Sequence, residues 1–158
     1  MNLPTSASAA LLILLAASPP VPAQAMVMAD TVVVTNTGST NFIGYRLLIA
    51  PGGEVSYVTG NGPGHARLSG TLLRRLTRDL AVAAPLSHLP APVFCMKAMS
   101  FGTATTIVVG GERSPDLSCP TKSSAVRALS RDVARITAFL KIRAVPRTQG
   151  TELPPQNF

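Results

Sequence analysis

The sequence predicts an α+β domain, a two-layer sandwich in which an antiparallel sheet carries two helices on one face. Three observations predict it. Runs of β-branched and apolar residues joined by hairpin-length turns occupy residues 31–58, and a further such run occupies 103–109. An amphipathic helical stretch follows each group, one ending near Ala84 and one near Leu140. The strand connections are too short for the crossovers of a parallel sheet. Strand groups that alternate with one-faced helices close around a single core as two layers.

The chain opens on a segment that reads as an address. Residues 1–25 contain no Lys, Arg, Asp or Glu, and an apolar run from Ala9 to Ala17 lies at their centre. That run is about half of the ~20 residues needed to span a bilayer. Ser18-Pro19-Pro20-Val21-Pro22 cannot continue a helix, because proline lacks the N–H and clashes with the preceding turn. Ala23-Gln24-Ala25 then offers small residues where a signal peptidase accepts them, so cleavage is expected after Ala25, with Val27-Met28-Ala29 as a weaker second site. The expected organisation is a signal peptide over 1–25, one α+β domain over 26–143 and a loose tail over 144–158. Export to the periplasm or the extracellular space follows. No second long apolar stretch exists, so no membrane span is expected in the processed protein.

The elements follow in order. Thr31-Val32-Val33-Val34-Thr35 is a β-branched strand, and Asn36 to Asn41 is a polar loop of turn-forming residues. Tyr45-Arg46-Leu47-Leu48-Ile49 is a second strand. Pro51-Gly52-Gly53 is a turn, and Val55-Ser56-Tyr57-Val58 returns as a third strand. Gly60-Asn61-Gly62-Pro63-Gly64 reads as an irregular loop. Ser69 is the expected N-cap of the first helix, whose Leu72, Leu73, Leu76 and Leu80 share one face. Pro85 ends that helix, and Leu86 to Pro92 is an extended connector. Val93 to Phe101 reads as a strand carrying Cys95, and Thr103 to Val109 as another, ended by Gly110-Gly111. The second helix starts at Ser123 or Ser124, and Val126, Leu129, Val133, Ile136 and Leu140 form its buried stripe. Residues 144–158 carry three prolines and few apolar groups.

A tandem ββα repeat is suggested by an offset of 58: Gly44 matches Gly102, Ile49 matches Ile107, and Gly52-Gly53-Glu54 matches Gly110-Gly111-Glu112. The runs Thr35-Asn36-Thr37-Gly38-Ser39-Thr40-Asn41, Ser100-Phe101-Gly102-Thr103 and Ser114-Pro115-Asp116-Leu117-Ser118-Cys119 give the chain a second signature. In these runs it resembles small exported bacterial proteins of unknown function. The resemblance covers most of residues 31–140. It supports export and a disulfide and implies no activity.

Cys95 and Cys119 are the two cysteines. In an oxidising compartment a pair of this kind is expected to be bonded, closing a loop worth about 3 kcal/mol by chain-entropy reasoning. A zinc site needs more Cys and His than the chain has, and no metal or cofactor is expected.

The formal net charge is +7, with 14 basic residues of which 11 are Arg, all after residue 25. A basic exported domain attracts anionic partners. No aromatic residues interleave the basic ones, so nucleic acid is not expected.

Two surface features are candidate sites. One is the polar loop Asn36, Thr37, Ser39, Thr40 and Asn41, since polar loops on a rigid sheet are common binding sites. The other is the stripe Arg127, Arg131 and Arg135, repeated every four residues of the second helix. No catalytic residue is assigned. A hydrolase would have to use His65 or His88 with Asp79, Asp116 or Asp132, and no G-x-S-x-G elbow is present. Gly60 to Gly64 lacks the Gly-Lys-Ser/Thr of a phosphate loop. The expectation is a non-enzymatic module that binds an unidentified protein or envelope polymer. The alternatives are a small exported hydrolase and an electrostatic binder of anionic surfaces. The oligomeric state is not legible in the sequence.

Overall fold

The structure, a computed structural model, describes residues 30–98 and 100–147. The signal segment expected over 1–25 and most of the expected tail, residues 148–158, lie outside the described residues. Among those described, the strands β1 (Val32–Asn36), β3 (Tyr45–Ile49), β4 (Glu54–Thr59), β5 (Gly62–Arg67), β6 (Thr105–Val109) and β7 (Glu112–Arg113) form one antiparallel sheet, in the order β5-β4-β3-β1-β6-β7. A second, two-stranded sheet pairs β2 (Phe42–Ile43) with β8 (Val145–Pro146). The helices α1 (Gly70–Ala83) and α2 (Ser124–Phe139) pack on each other over the large sheet.

Alternation along the strands decides which sheet face is covered. Val32 and Val34 of β1, Leu47 and Ile49 of β3, Val55 of β4 and Ile107 of β6 are buried. They meet Leu76, Leu80 and Ala83 of α1 and Val126, Leu129, Val133 and Ile136 of α2 in one core. Their neighbours Val33, Leu48 and Val108, on the opposite face, are only half-buried. A one-residue slip would turn the apolar set to the wrong side, so burial fixes the register Val34↔Leu47 and Val34↔Ile107. The sandwich predicted from the sequence is therefore present. Both helices start where expected: the Ser69 side chain accepts from the Leu72 N–H, and the Ser123 side chain from the Val126 N–H.

β1 pairs with β3 on one side and β6 on the other, and the halves expected to repeat run β3-β4-β5-α1 and β6-β7-α2, so the first carries one strand more than a ββα unit. They differ in their turns. Gly110 and Gly111 both adopt positive φ, and β7 follows at once, whereas the β3–β4 turn has positive φ only at Gly53.

Three expectations are corrected. Val93 to Phe101 is not a strand. Val93 and Phe94 are both exposed, so no alternation buries one side, and β7 already pairs with the edge of β6. Gly60 to Gly64 is not an irregular loop. The Thr59 hydroxyl accepts from the Asn61 N–H, Gly62 takes positive φ, and β5 returns along β4 as an edge strand, where Pro63 is tolerated. A Cβ on Gly64 would lie 2.3 Å from Cζ of Tyr57, so a bare backbone is needed beneath that ring. Residues 145 and 146 are not loose: they form β8, and the Arg147 N–H donates to the Asn41 carbonyl at 2.8 Å.

Candidate binding surface

Cys95 and Cys119 form a disulfide with Cα atoms 5.5 Å apart. It ties the connector after α1 to the segment leading into α2. Behind it lies a polar knot. The Lys97 ammonium donates to the Asp116 carboxylate, to the Thr103 carbonyl and to the Ser118 hydroxyl. The other Asp116 oxygen accepts from the N–H groups of Thr105 and Ser118, each at 3.0 Å. Burial opposes ionisation of Asp116, and Lys97, the Ser118 hydroxyl and the two N–H groups outweigh it, holding this carboxyl below the ordinary range. Cys95, Cys119 and Asp116 bring possible metal-donor atoms within 4.8 Å of one another, but both sulfurs are committed to the S–S bond.

This knot holds a loop whose apolar side chains face outward. Val93 is 103% exposed, Phe94 70%, Met96 82% and Phe101 64%. The N–H groups of Phe101 and Gly102 both reach the Ala98 carbonyl, which folds the loop back on itself. A Cβ on Gly102 would sit 2.4 Å from Cβ of Lys97, so the returning chain passes directly against Lys97. At one end, Val93 and Phe94 border an open groove of 660 Å³ with Pro90, Pro92, Pro120 and Lys122. At the other, Phe101 meets Phe42 at a ring separation of 6.0 Å. These two rings share a smaller cavity of 330 Å³ with Tyr45, Ile142 and Arg143. Apolar exposure concentrated in this way marks a contact surface more often than scattered apolar residues do.

The polar loop adjoins this surface as a brace. The Asn36 side chain donates to the hydroxyls of Thr103 and Thr105 and accepts from the Gly38 N–H. The Thr37 hydroxyl accepts from the Ala104 N–H. Ser39 Oγ donates to the Ser100 carbonyl and accepts from Asn41 and Phe42 N–H. Thr40 and Asn41 are exposed at its tip. Most of the loop's polarity is thus engaged in fastening β1 to the 100–105 segment. That use was not legible in the sequence, because the partners lie more than 60 residues away.

The three arginines of α2 separate into different roles. Arg135 donates to Asp132 Oδ1 at 3.2 Å. Arg127 donates to the carbonyls of Thr121 and Lys122, just before the helix. Arg127 and Arg131 line an open cleft of 360 Å³ with Leu117, Pro120, Thr121 and Ser130. All three are exposed.

Neither histidine joins a triad among the described residues. His65 lies on the exposed sheet face with Nδ1 3.1 Å from Ser56 Oγ, a cross-strand pair with no carboxylate hydrogen-bonded to the ring. His88 is exposed at the end of the 3-10 turn Leu86–His88. The nearby Glu112 is hydrogen-bonded to the backbone and hydroxyl of Ser87, which hold its carboxyl below the ordinary range. Asp116 is held in the lysine knot, and Asp79 and Asp132 lie at the helix interface. The Ser56–His65 pairing comes from the β4–β5 register, which could not be read while residues 60–64 passed for a loop.

Among the described residues no helix is long and apolar enough to cross a membrane. No family model matches the chain, and no curated protein is significantly similar to it.

Proposed function

We propose that this protein is an exported, non-enzymatic binding module of the cell envelope or the extracellular space, and that its contact surface is the loop from Pro92 to Phe101. The observation that carries this reading is the outward display of Val93, Phe94, Met96 and Phe101 on a loop held by a disulfide and by the Lys97–Asp116 pair. Apolar side chains left in water cost free energy that a partner recovers on burial. A rigid clamp also reduces the ordering cost of binding. The disulfide supports an oxidising compartment.

The test is affinity capture at physiological salt from the host's own envelope fraction and culture medium. A partner retained by the protein and lost from a Phe94→Ser/Met96→Ser variant with unchanged melting supports the reading. A partner retained equally by both contradicts it.

A second reading is favoured by one observation, the pairing of Arg127 and Arg131 on one cleft. An anionic polymer bound there would be released by Arg131→Gln and by salt, since exposed charge interactions are screened.

A further inference from the structure

We infer that the Pro92–Phe101 loop docks on an anionic lipid leaflet, with Val93, Phe94, Met96 and Phe101 entering the acyl region while Lys122 and Arg143 meet the headgroup phosphates. The inference rests on the proposed contact surface and names its occupant.

Charge selects that occupant. From Leu80 to Gly111 the chain has no acidic residue. Lys122 borders the groove beside Val93 and Phe94, and Arg143 the cavity beside Phe101. Neither has a carboxylate partner among the described residues, whereas Glu54, Asp79, Asp116 and Asp132 are each paired with a cation. The apolar loop therefore stands between two cations with no carboxylate partner among the described residues, and Asp116 behind it is neutralised by Lys97. Bulky apolar groups between basic residues make up an interfacial contact, one part entering the acyl boundary and the other attracted to anionic headgroups.

Shape points the same way. Val93, Phe94 and Met96 are each more than two-thirds exposed and lie within four residues of one another on a single loop. A fluid acyl layer accepts such projections without a matching socket, whereas a protein partner must supply a pocket for each. The apolar stripes of α1 and α2 are already used in the core, so neither helix can serve as the anchor without unfolding the domain.

The test is co-sedimentation of the oxidised protein, isolated from its host in processed form, with two kinds of vesicle. One contains phosphatidylglycerol and phosphatidylethanolamine in equal parts, and the other is pure phosphatidylcholine. Binding at least about tenfold stronger to the anionic vesicles is expected, weakening as salt rises. Phe94→Ser/Met96→Ser should lower it by about tenfold or more. Lys122→Gln/Arg143→Gln should remove the preference for anionic lipid, and Arg74→Gln/Arg75→Gln on α1 should change nothing. All variants share one N-terminus, so the differences belong to the substituted side chains, and equal melting temperatures show that each is folded. Equal binding to both vesicles, or binding indifferent to the loop substitutions, overturns the inference. If no vesicle is bound but a discrete protein is captured through Phe94 and Met96, the lipid assignment fails and the contact surface stands. If neither occurs, both fail.

Discussion

Asp132 on α2 lies against Asp79 on α1, close enough across the helix interface for each carboxyl group to oppose ionisation of the other. Asp132 is 2% exposed, and its Oδ2 has no hydrogen-bond partner among the described residues. Two neighbouring carboxylates repel when both are ionised, and burial adds to the cost, so the neutral form of Asp132 is favoured. Arg78 pairs with Asp79 and Arg135 with Asp132 on the outer side. Burial first, and then Asp79, raise the Asp132 carboxyl to about 6.

A pH dependence with a definite sign follows. The folded state holds the Asp132 proton more tightly than the unfolded chain does, so the group's contribution to stability is full below its ordinary pKa near 3.8 and is lost as pH rises through about 6. The loss is on the order of 3 kcal/mol. Melting curves of the wild type and Asp132→Asn between pH 4 and 8 should converge at the acid end. The amide variant should be the more stable above pH 7. Parallel curves would show that the fold does not raise the Asp132 pKa.

Asp116 has the opposite sign. Its folded-state pKa is lowered, so its contribution is present above the ordinary carboxylate pKa and disappears as pH falls through the depressed value. Asp116→Ala removes the acceptor for two N–H groups and the partner of Lys97, and should cost about 1–3 kcal/mol at neutral pH. Chemical denaturation in the oxidised state measures this directly. The cost should shrink in strong acid.

Core and loop should respond in opposite ways to truncation. Leu129 is fully buried between the helices and the sheet, and Leu129→Ala should cost about 2–5 kcal/mol. Phe94→Ser, although it removes a larger side chain, should change stability by no more than about 0.5 kcal/mol. Urea midpoints of the two variants test whether the loop's apolar groups belong to the core.

The histidines should be dispensable for folding. His65 is exposed and pairs with the Ser56 hydroxyl across an open sheet face, and His65→Ala should leave the melting temperature within about 2 °C of wild type. A hydrolytic turnover abolished by His65→Ala or Ser56→Ala would make that pair a catalytic dyad and replace the binding account.

Where the pattern is local, the sequence announced the fold. The 3-4 spacing of Val126, Leu129, Val133 and Ile136, the caps Ser69 and Ser123, and the β-branched runs of β1 and β6 each follow from neighbours a few residues apart. β5 escaped because Gly62, Pro63, Gly64, His65 and Ala66 have poor strand propensity. Its strand character comes from the template of β4 and from the Tyr57 ring over Gly64. The 93–101 segment misled in the other direction: its apolar content resembles a strand, but Pro90, Pro92 and the disulfide keep it off the sheet. The roles of Asn36 and Ser39 as braces depend on contacts more than 60 residues distant, beyond any local signal. The Asp79–Asp132 contact is equally silent, because helical spacing places each residue on its own helix and says nothing of their meeting.

The most direct test of the contact surface uses a photo-crosslinking amino acid in living host cells. It is placed in turn at Phe94, Met96 and Phe101, with Arg74 and Arg131 as control positions. The account predicts one discrete adduct from the three loop positions and none from the controls, with lipid as the crosslinked species if the leaflet is the occupant. Adducts that form at Arg131 and are missing from Phe94, Met96 and Phe101 would move the site to the α2 cleft and contradict the account.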